Sequence, residues 1–225
     1  MIRFFDILLS AISLLLLFPL FLTIVILLRS TGEGEIFFLQ ERIGKDGKKF
    51  ELFKFATMLK NSPNIGTGTV TMKNDPRVLP IGRFLRKTKI NELPQLLNIF
   101  FGDMSVIGPR PLTSQAFESY SDNTKHLIKK VRPGLSGIGS IVFRAEEEIM
   151  HGATGSIDFY ENAIAPYKGK LEEWFVSNKS LYIYFVAILV TAWTVLIPST
   201  KIVWRVFKDL PEPPNELKKM LNFTD

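Results

Sequence analysis

The sequence predicts a mainly helical α+β protein whose small body is attached to a membrane. Three observations carry that expectation. The chain opens on an uncharged apolar run over residues 7–28, "ILLSAISLLLLFPLFLTIVILL". Its middle alternates short strand-like and helix-like segments with turns rich in Gly and Pro. A second uncharged run, residues 180–200, comes near the end. A chain of 225 residues holds one core with appendages. The absence of cysteine excludes a disulfide framework and thiolate metal sites, and agrees with a cytosol-facing body. The net charge is +6, yet only Arg3 and Asp6 are charged before residue 29. A basic body beside a greasy segment suits an anionic membrane surface or an anionic substrate such as a phosphate.

The first apolar run is too long for the core of a signal peptide, and no small-residue cleavage site follows it. It is long enough to cross a bilayer as a helix. Pro19 lies inside it, removing an N–H and clashing with the carbonyl of Leu15. Two readings stay open on the residues alone: a kinked span, or a re-entrant hairpin broken near Phe18 and Pro19. Both attach the chain to a membrane. The second run, "SLYIYFVAILVTAWTVLIPST", carries Tyr182, Tyr184, Trp193 and Pro198, with Trp204 just beyond. Aromatics of this kind favour the interface, and the bases after residue 200 oppose a crossing. An interfacial or partly core-packed helix is expected there.

Between the runs, "EIFFLQERIG" and "KDGKKFELFKF" predict a β-hairpin turning at Asp46-Gly47. "NSPNIGTGTVTMKNDPRVLP" reads as loop, and "GRFLRKTKINELPQLLNIFFGDMS" as helical in parts. "IGPRPL" reads as a turn, "QAFESYSDNTKHLIKKV" as one polar amphipathic helix and "RPGLSGIGS" as loop. Pro211, Pro213 and Pro214 are expected to end the folded region. The organisation is a membrane helix over 1–30, a body over 31–178, an apolar aromatic helix over 179–210 and a flexible tail over 211–225.

The groups able to do chemistry concentrate between residues 75 and 111. "NDPRVLPIGRFLRK" supplies Arg77, Arg83, Arg86 and Lys87, of which the last three share one face of a helix. Such a face is either a solvated flank or a grip on phosphate oxygens. "GPRP" stiffens Arg110 between two prolines, which suits recognition as well as an ordinary turn. Arg144 adds a further candidate for phosphate. Asp103 reads as a brace for its turn, Glu146, Glu147 and Glu148 as a solvated flank, and His126 and His151 as surface residues.

The ordered segments "ERIGKDGKKFELFKFATM", "NDPRVLPIGRFLRKTKINELPQLLNIFFGDMSVIGPRPL" and "RPGLSGIGS", with the proline in the N-terminal run, closely resemble the bacterial sugar transferases. These are monotopic phosphoglycosyl transferases, and the resemblance covers residues 1 to about 145 well. It implies a re-entrant membrane helix hairpin, a small cytosolic catalytic body and interfacial amphipathic helices at a bacterial inner membrane. It also implies a reaction: a UDP-sugar donor passes its phosphosugar to a polyprenyl phosphate acceptor, UMP leaves, and glycan assembly begins. Mg²⁺ and membrane lipid are expected partners, and nucleic acid is not.

Carried over by position, Lys54 matches a lysine of the site, Arg86 and Arg110 match phosphate-binding arginines, and Glu92 matches the glutamate of an Asp-Glu pair. Asn91 stands where the family has its nucleophilic aspartate and metal ligand. Ala56 and Phe18 are lesser departures. A carboxamide is a poor nucleophile and a weak Mg²⁺ ligand; as an alternative role, Asn91 would cap a helix with Pro94 in its first turn. Three expectations follow: Glu92 is the nucleophile or metal ligand, the lipid phosphate attacks the donor directly with help from Glu92, or the chain is a catalytically impaired scaffold that binds phosphate.

Overall fold

A computed structural model describes residues 1–64, 75–144, 159–197 and 201–223. Residues 65–74, expected to be loop, the acidic run Glu146, Glu147 and Glu148, His151 and Pro198 therefore lie outside the described residues. The described chain is mainly helical, with two small two-stranded sheets, and divides into two compact units. The first comprises Ile7–Glu41 and Glu51–Phe101; the second comprises Met1–Asp6, Arg42–Phe50 and Gly102–Asp225.

Helix α1 (Ile2–Ser30) runs continuously through Pro19. Among the described residues it is the only helix long and apolar enough to cross a membrane. Leu15, Leu16 and Phe18 in its middle are largely exposed, a costly display of apolar surface in water. Its later turns belong to the first unit, where Ile24 and Leu28 are buried with Phe55 and Leu85. The hairpin strands β1 (Phe37–Ile43) and β2 (Lys49–Phe55) follow as expected. Asp46 and Gly47 both take positive φ, 59° and 73°, as a tight hairpin turn requires.

After β2, the chain doubles against the segment before α2 (Pro80–Lys87): Met58 bridges Val78, and the Leu79 N–H donates to the Thr57 carbonyl at 3.0 Å. A Cβ at Gly82 would sit 2.1 Å from that carbonyl oxygen, so only glycine lets α2 approach so closely. A 3-10 turn over Ile90–Glu92 leads to α3 (Gln95–Phe101).

In the second unit, β3 (Ser105–Ile107) pairs in parallel with β4 (Gly134–Ser136), Ser105 opposite Gly134 and Ile107 opposite Ser136. The segment "RPGLSGIGS", read from sequence as loop, thus supplies a strand and the start of α6 (Ile138–Val142). Its glycines permit this: a Cβ at Gly134 would meet the Gly108 nitrogen at 2.1 Å, and one at Gly137 the Gly108 oxygen at 2.1 Å. The single helix expected over "QAFESYSDNTKHLIKKV" is two, α4 (Ser114–Glu118) and α5 (Asp122–Ile128). Tyr120 buries itself at the break, and the Ser121 hydroxyl caps α5 by accepting from the Thr124 N–H.

A π turn over Tyr160–Ile164 enters α7 (Ala165–Asn178), followed by α8 (Leu181–Leu196), α9 (Lys201–Val206) and α10 (Asn215–Lys218). Helix α8 buries Tyr184, Ala187, Val190 and Thr194 along one stripe and exposes Tyr182, Leu189 and Trp193 on another. The tail expected to be flexible is instead packed. Leu217 and Leu221 are buried, the Trp204 Nε1–H donates to the Leu221 carbonyl, and the Tyr167 hydroxyl donates to the Pro211 carbonyl. Pro211, Pro213 and Pro214 therefore do not end the core.

Asp6 ties the start of α1 into the second unit. Its Oδ1 accepts from the Ser105 hydroxyl, the Val106 N–H and the Tyr184 hydroxyl, each at 2.9 Å, and the residue is 1% exposed. Asp6→Ala leaves three buried donors without this acceptor and is expected to cost roughly 3 kcal/mol or more. Tyr184→Phe should cost about 1 kcal/mol. Denaturant unfolding in detergent checks both, and equal effects would contradict the shared-acceptor picture.

Candidate active site

In the first unit the chemistry-bearing residues stand on β2, α2 and the 3-10 turn. Lys54 is half-buried near the end of β2. Asn98, fully buried in α3, fixes that strand: its Oδ1 accepts from the Phe53 N–H at 2.9 Å and its Nδ2 donates to the Glu51 carbonyl at 2.7 Å. A side-chain amide here stands in for a neighbouring strand, satisfying backbone that would otherwise be stranded. The sequence reading missed Asn98, although an amide inside the apolar "LLNIFF" was the available signal.

Helix α2 presents its cations as expected, with Arg83 and Lys87 exposed and Arg86 half-buried. The Arg86 Nη1 approaches the Met58 sulfur at 3.8 Å, which leans the side chain toward the segment after β2. Arg77, expected to bind phosphate, is buried in a two-point pair with Asp75, at 2.9 Å through Nε and 2.6 Å through Nη2. It also donates to the Ser62 carbonyl. That geometry makes it a brace for the loop before α2.

Asn91 does not cap a helix. Lys89 adopts the left-handed conformation, φ 59°, closes α2 through its N–H on the Arg86 carbonyl, and turns the chain into Ile90–Glu92. A positive φ on lysine is an uncommon conformation that the surroundings must hold. Asn91 falls in the middle of this turn, and α3 begins only at Gln95, after Pro94. Asn91 is 8% exposed and, among the described residues, its Oδ1 has no hydrogen-bond partner. Native interiors seldom leave such an atom unmatched. Glu92, next in the turn, is half-buried.

These two side chains suit Mg²⁺ in kind. The ion is held through one or two carboxylates and fills its shell with water and substrate phosphate, so the Glu92 carboxylate is the fitting ligand and the Asn91 amide oxygen a weaker neutral one. Among the described residues no cluster of three His, Asp or Glu forms a metal cage.

Arg110 and Arg144, the other expected phosphate ligands, belong to the second unit and are exposed. Pro109 and Pro111 are buried on either side of Arg110, so the backbone is held while the guanidinium faces outward. A residue unnoticed in the sequence supports this turn. Glu172 of α7, 3% exposed, accepts the Arg110 backbone N–H, and its Oε1 occupies the space a Cβ at Gly139 would need. Burial pushes its carboxyl up to about 7, against the pull of Arg110 and Lys168.

Residues 1–198 match the family described as bacterial sugar transferase, and the chain belongs to that family. It is 39% identical over 153 residues to the exopolysaccharide production protein ExoY of Rhizobium meliloti, covering 62% of this chain and 67% of the relative. It is 39% identical over 143 residues to the UDP-glucose:undecaprenyl-phosphate glucose-1-phosphate transferase of Klebsiella pneumoniae, covering 62% of this chain and 30% of that one. Against the undecaprenyl-phosphate galactose phosphotransferase of Salmonella typhimurium it is 30% identical over 208 residues, covering 86% of this chain and 40% of the relative.

A carboxyl with a raised folded-state pKa destabilises the fold as pH climbs from its unfolded value to its folded one. For Glu172 that window runs from 4.5 to about 7. The melting temperature is therefore expected to fall between pH 5 and pH 8 in the native chain and to fall less in Glu172→Gln, as thermal melts at the two pH values will show.

Proposed function

We propose that the chain is a phosphoglycosyl transferase that moves a sugar 1-phosphate from a UDP-sugar to a polyprenyl phosphate such as undecaprenyl phosphate, releasing UMP and starting glycan assembly. One observation carries this reading. The only carboxylate of the Asn91-Glu92 turn stands on the same unit as Lys54 and Arg86, in a chain of the sugar transferase family. The names of the Klebsiella and Salmonella relatives supply the donor and acceptor classes.

In this mechanism Lys54 and Arg86 offset the charge of the donor diphosphate. A Glu92 carboxylate oxygen attacks the phosphorus that bears the sugar. The bond from that phosphorus to the bridging oxygen breaks, and its electron pair leaves with UMP. A phosphate oxygen of the acceptor lipid then attacks the same phosphorus and frees Glu92, so one hard displacement becomes two. Asn91 cannot be the nucleophile; its buried oxygen and Glu92 are the groups that would hold Mg²⁺, which when bound neutralises diphosphate charge. Arg110 and Arg144 offer exposed guanidiniums to the anionic substrates.

The attachment in this reading is re-entrant. Asp6 is held by Ser105, and no segment between residues 31 and 104 has the roughly 20 apolar residues a crossing needs. Both ends of α1 then share one side of the membrane, which requires the helix to bend at Pro19, where one backbone N–H is missing, so that its exposed middle enters and leaves through that face. With UDP-sugars in the cytosol, that side is the cytosolic face of the bacterial inner membrane, and α8 lies at the interface with its outer stripe of Tyr182, Leu189 and Trp193.

UMP release from a panel of UDP-sugars with polyprenyl phosphate and Mg²⁺ tests the activity. The native chain is expected to turn over, Glu92→Gln to lose about 10³-fold or more, and Asn91→Asp to gain. No turnover by the native chain, with activity appearing only in Asn91→Asp, would instead make it a phosphate-binding scaffold. For topology the cysteine-free chain is convenient. Single cysteines at Ile2 and Thr31 should both label from the cytosolic side, whereas labelling from opposite sides would mean a span.

A further inference from the structure

The N-terminal ends of α1 and α8 meet at a feature that the transferase chemistry does not use. A cavity of about 390 Å³ opens in the second unit, lined by Arg3, Asp6, Ser105, Arg132, Lys179 and Leu181. Three side-chain cations, Arg3, Arg132 and Lys179, thus share one space with a single lining carboxylate, Asp6, whose Oδ1 also accepts from Ser105, Val106 and Tyr184. Arg132 is oriented by its Nε–H on the Gly102 carbonyl at 2.6 Å. A side chain at Gly102, whose φ is 107°, would press against the Arg3 guanidinium.

The surroundings indicate what such a seat is for. Phe5 of α1 packs edge-on against Phe185 of α8 at 4.9 Å, joining the starts of the two apolar helices. Phe4 and Tyr182, beside the cavity residues in the chain, are 64% and 70% exposed. Aromatic and apolar groups displayed next to clustered bases mark the depth at which lipid head groups lie. The charges are also crowded. Burial and then the neighbouring Arg132 lower the Arg3 pKa, with Asp6 and Asp103 opposing. Burial lowers that of Lys179, where Asp6 opposes and Arg132 and Lys45 add to the effect. An anion placed among them relieves that repulsion.

We propose that this cavity seats the phosphate of an anionic phospholipid, a phosphodiester head group whose acyl chains start beside the exposed Phe4 of the first turn of α1 and the outer face of α8. The site is separate in its residues from those assigned to the sugar donor, and its occupancy does not depend on catalysis. It would fix the depth and tilt at which the second unit meets the membrane.

The full-length chain in neutral detergent, titrated with short-chain phosphatidylglycerol, provides the test, with the thermal midpoint as readout. Phosphatidylcholine and inorganic phosphate at matched concentrations are the comparison arms. The midpoint is expected to rise with phosphatidylglycerol alone. The half-saturating concentration should increase about 5-fold in Lys179→Gln and about 30-fold in Arg3→Gln/Lys179→Gln, and stay unchanged in Lys201→Gln/Arg205→Gln. An equal response to inorganic phosphate would mean a soluble-anion site and overturn the proposal. So would an equal response to phosphatidylcholine, or an unshifted half-saturation in the variants. Should the double variant not fold, Lys179→Gln decides, because that lysine is exposed.

Discussion

The hydrogen bonds of the Asp6 side chain are the constraint that fixes the start of the long apolar helix α1 in a folded unit. A buried polar side chain near the start of an apolar helix is costly unless its oxygens are satisfied, and here one oxygen collects three donors. Those donors come from β3, one strand of the parallel pair, and α8, whose outer face exposes Tyr182 and Trp193. The first turn of α1 is therefore part of a folded unit and has no freedom to swing as a tethered anchor. The same side chain borders the cavity that Arg3, Arg132 and Lys179 also line.

The turn over Ile90–Glu92 is positioned by similar contacts within the first unit. Asn98 holds the backbone of β2, Gly82 lets α2 close on Thr57, and the left-handed Lys89 turns the chain so that Asn91 points inward and Glu92 follows. None of these residues carries chemistry, yet each fixes where a reacting group stands. The Asn91 amide oxygen is buried with no hydrogen-bond partner among the described residues, an uncommon state for a native interior.

Much of this was legible in the sequence, and the failures have physical causes. The hairpin was readable because Asp46-Gly47 is a strong local turn signal, and α2 because its cations recur at helical spacing. The family was readable from four motifs in order. What escaped depended on contacts far apart in the chain. Strand β4 exists only because Gly134 and Gly137 can approach Gly108, and the packed tail only because Leu217 and Leu221 find a core. Glu172 read as one more charge on a helix, since nothing local announces that the Arg110 backbone will sit above it. Arg77 looked like its neighbours by type, and only the position of Asp75 separates a brace from a ligand.

The sharpest single measurement is intact-protein and peptide mass spectrometry after incubation with a UDP-sugar, Mg²⁺ and no acceptor lipid. The account predicts a phosphosugar adduct on the peptide carrying Glu92, absent in Glu92→Gln and removed on adding polyprenyl phosphate. Steady turnover with no adduct, or an adduct on another residue, would contradict the role given to Glu92.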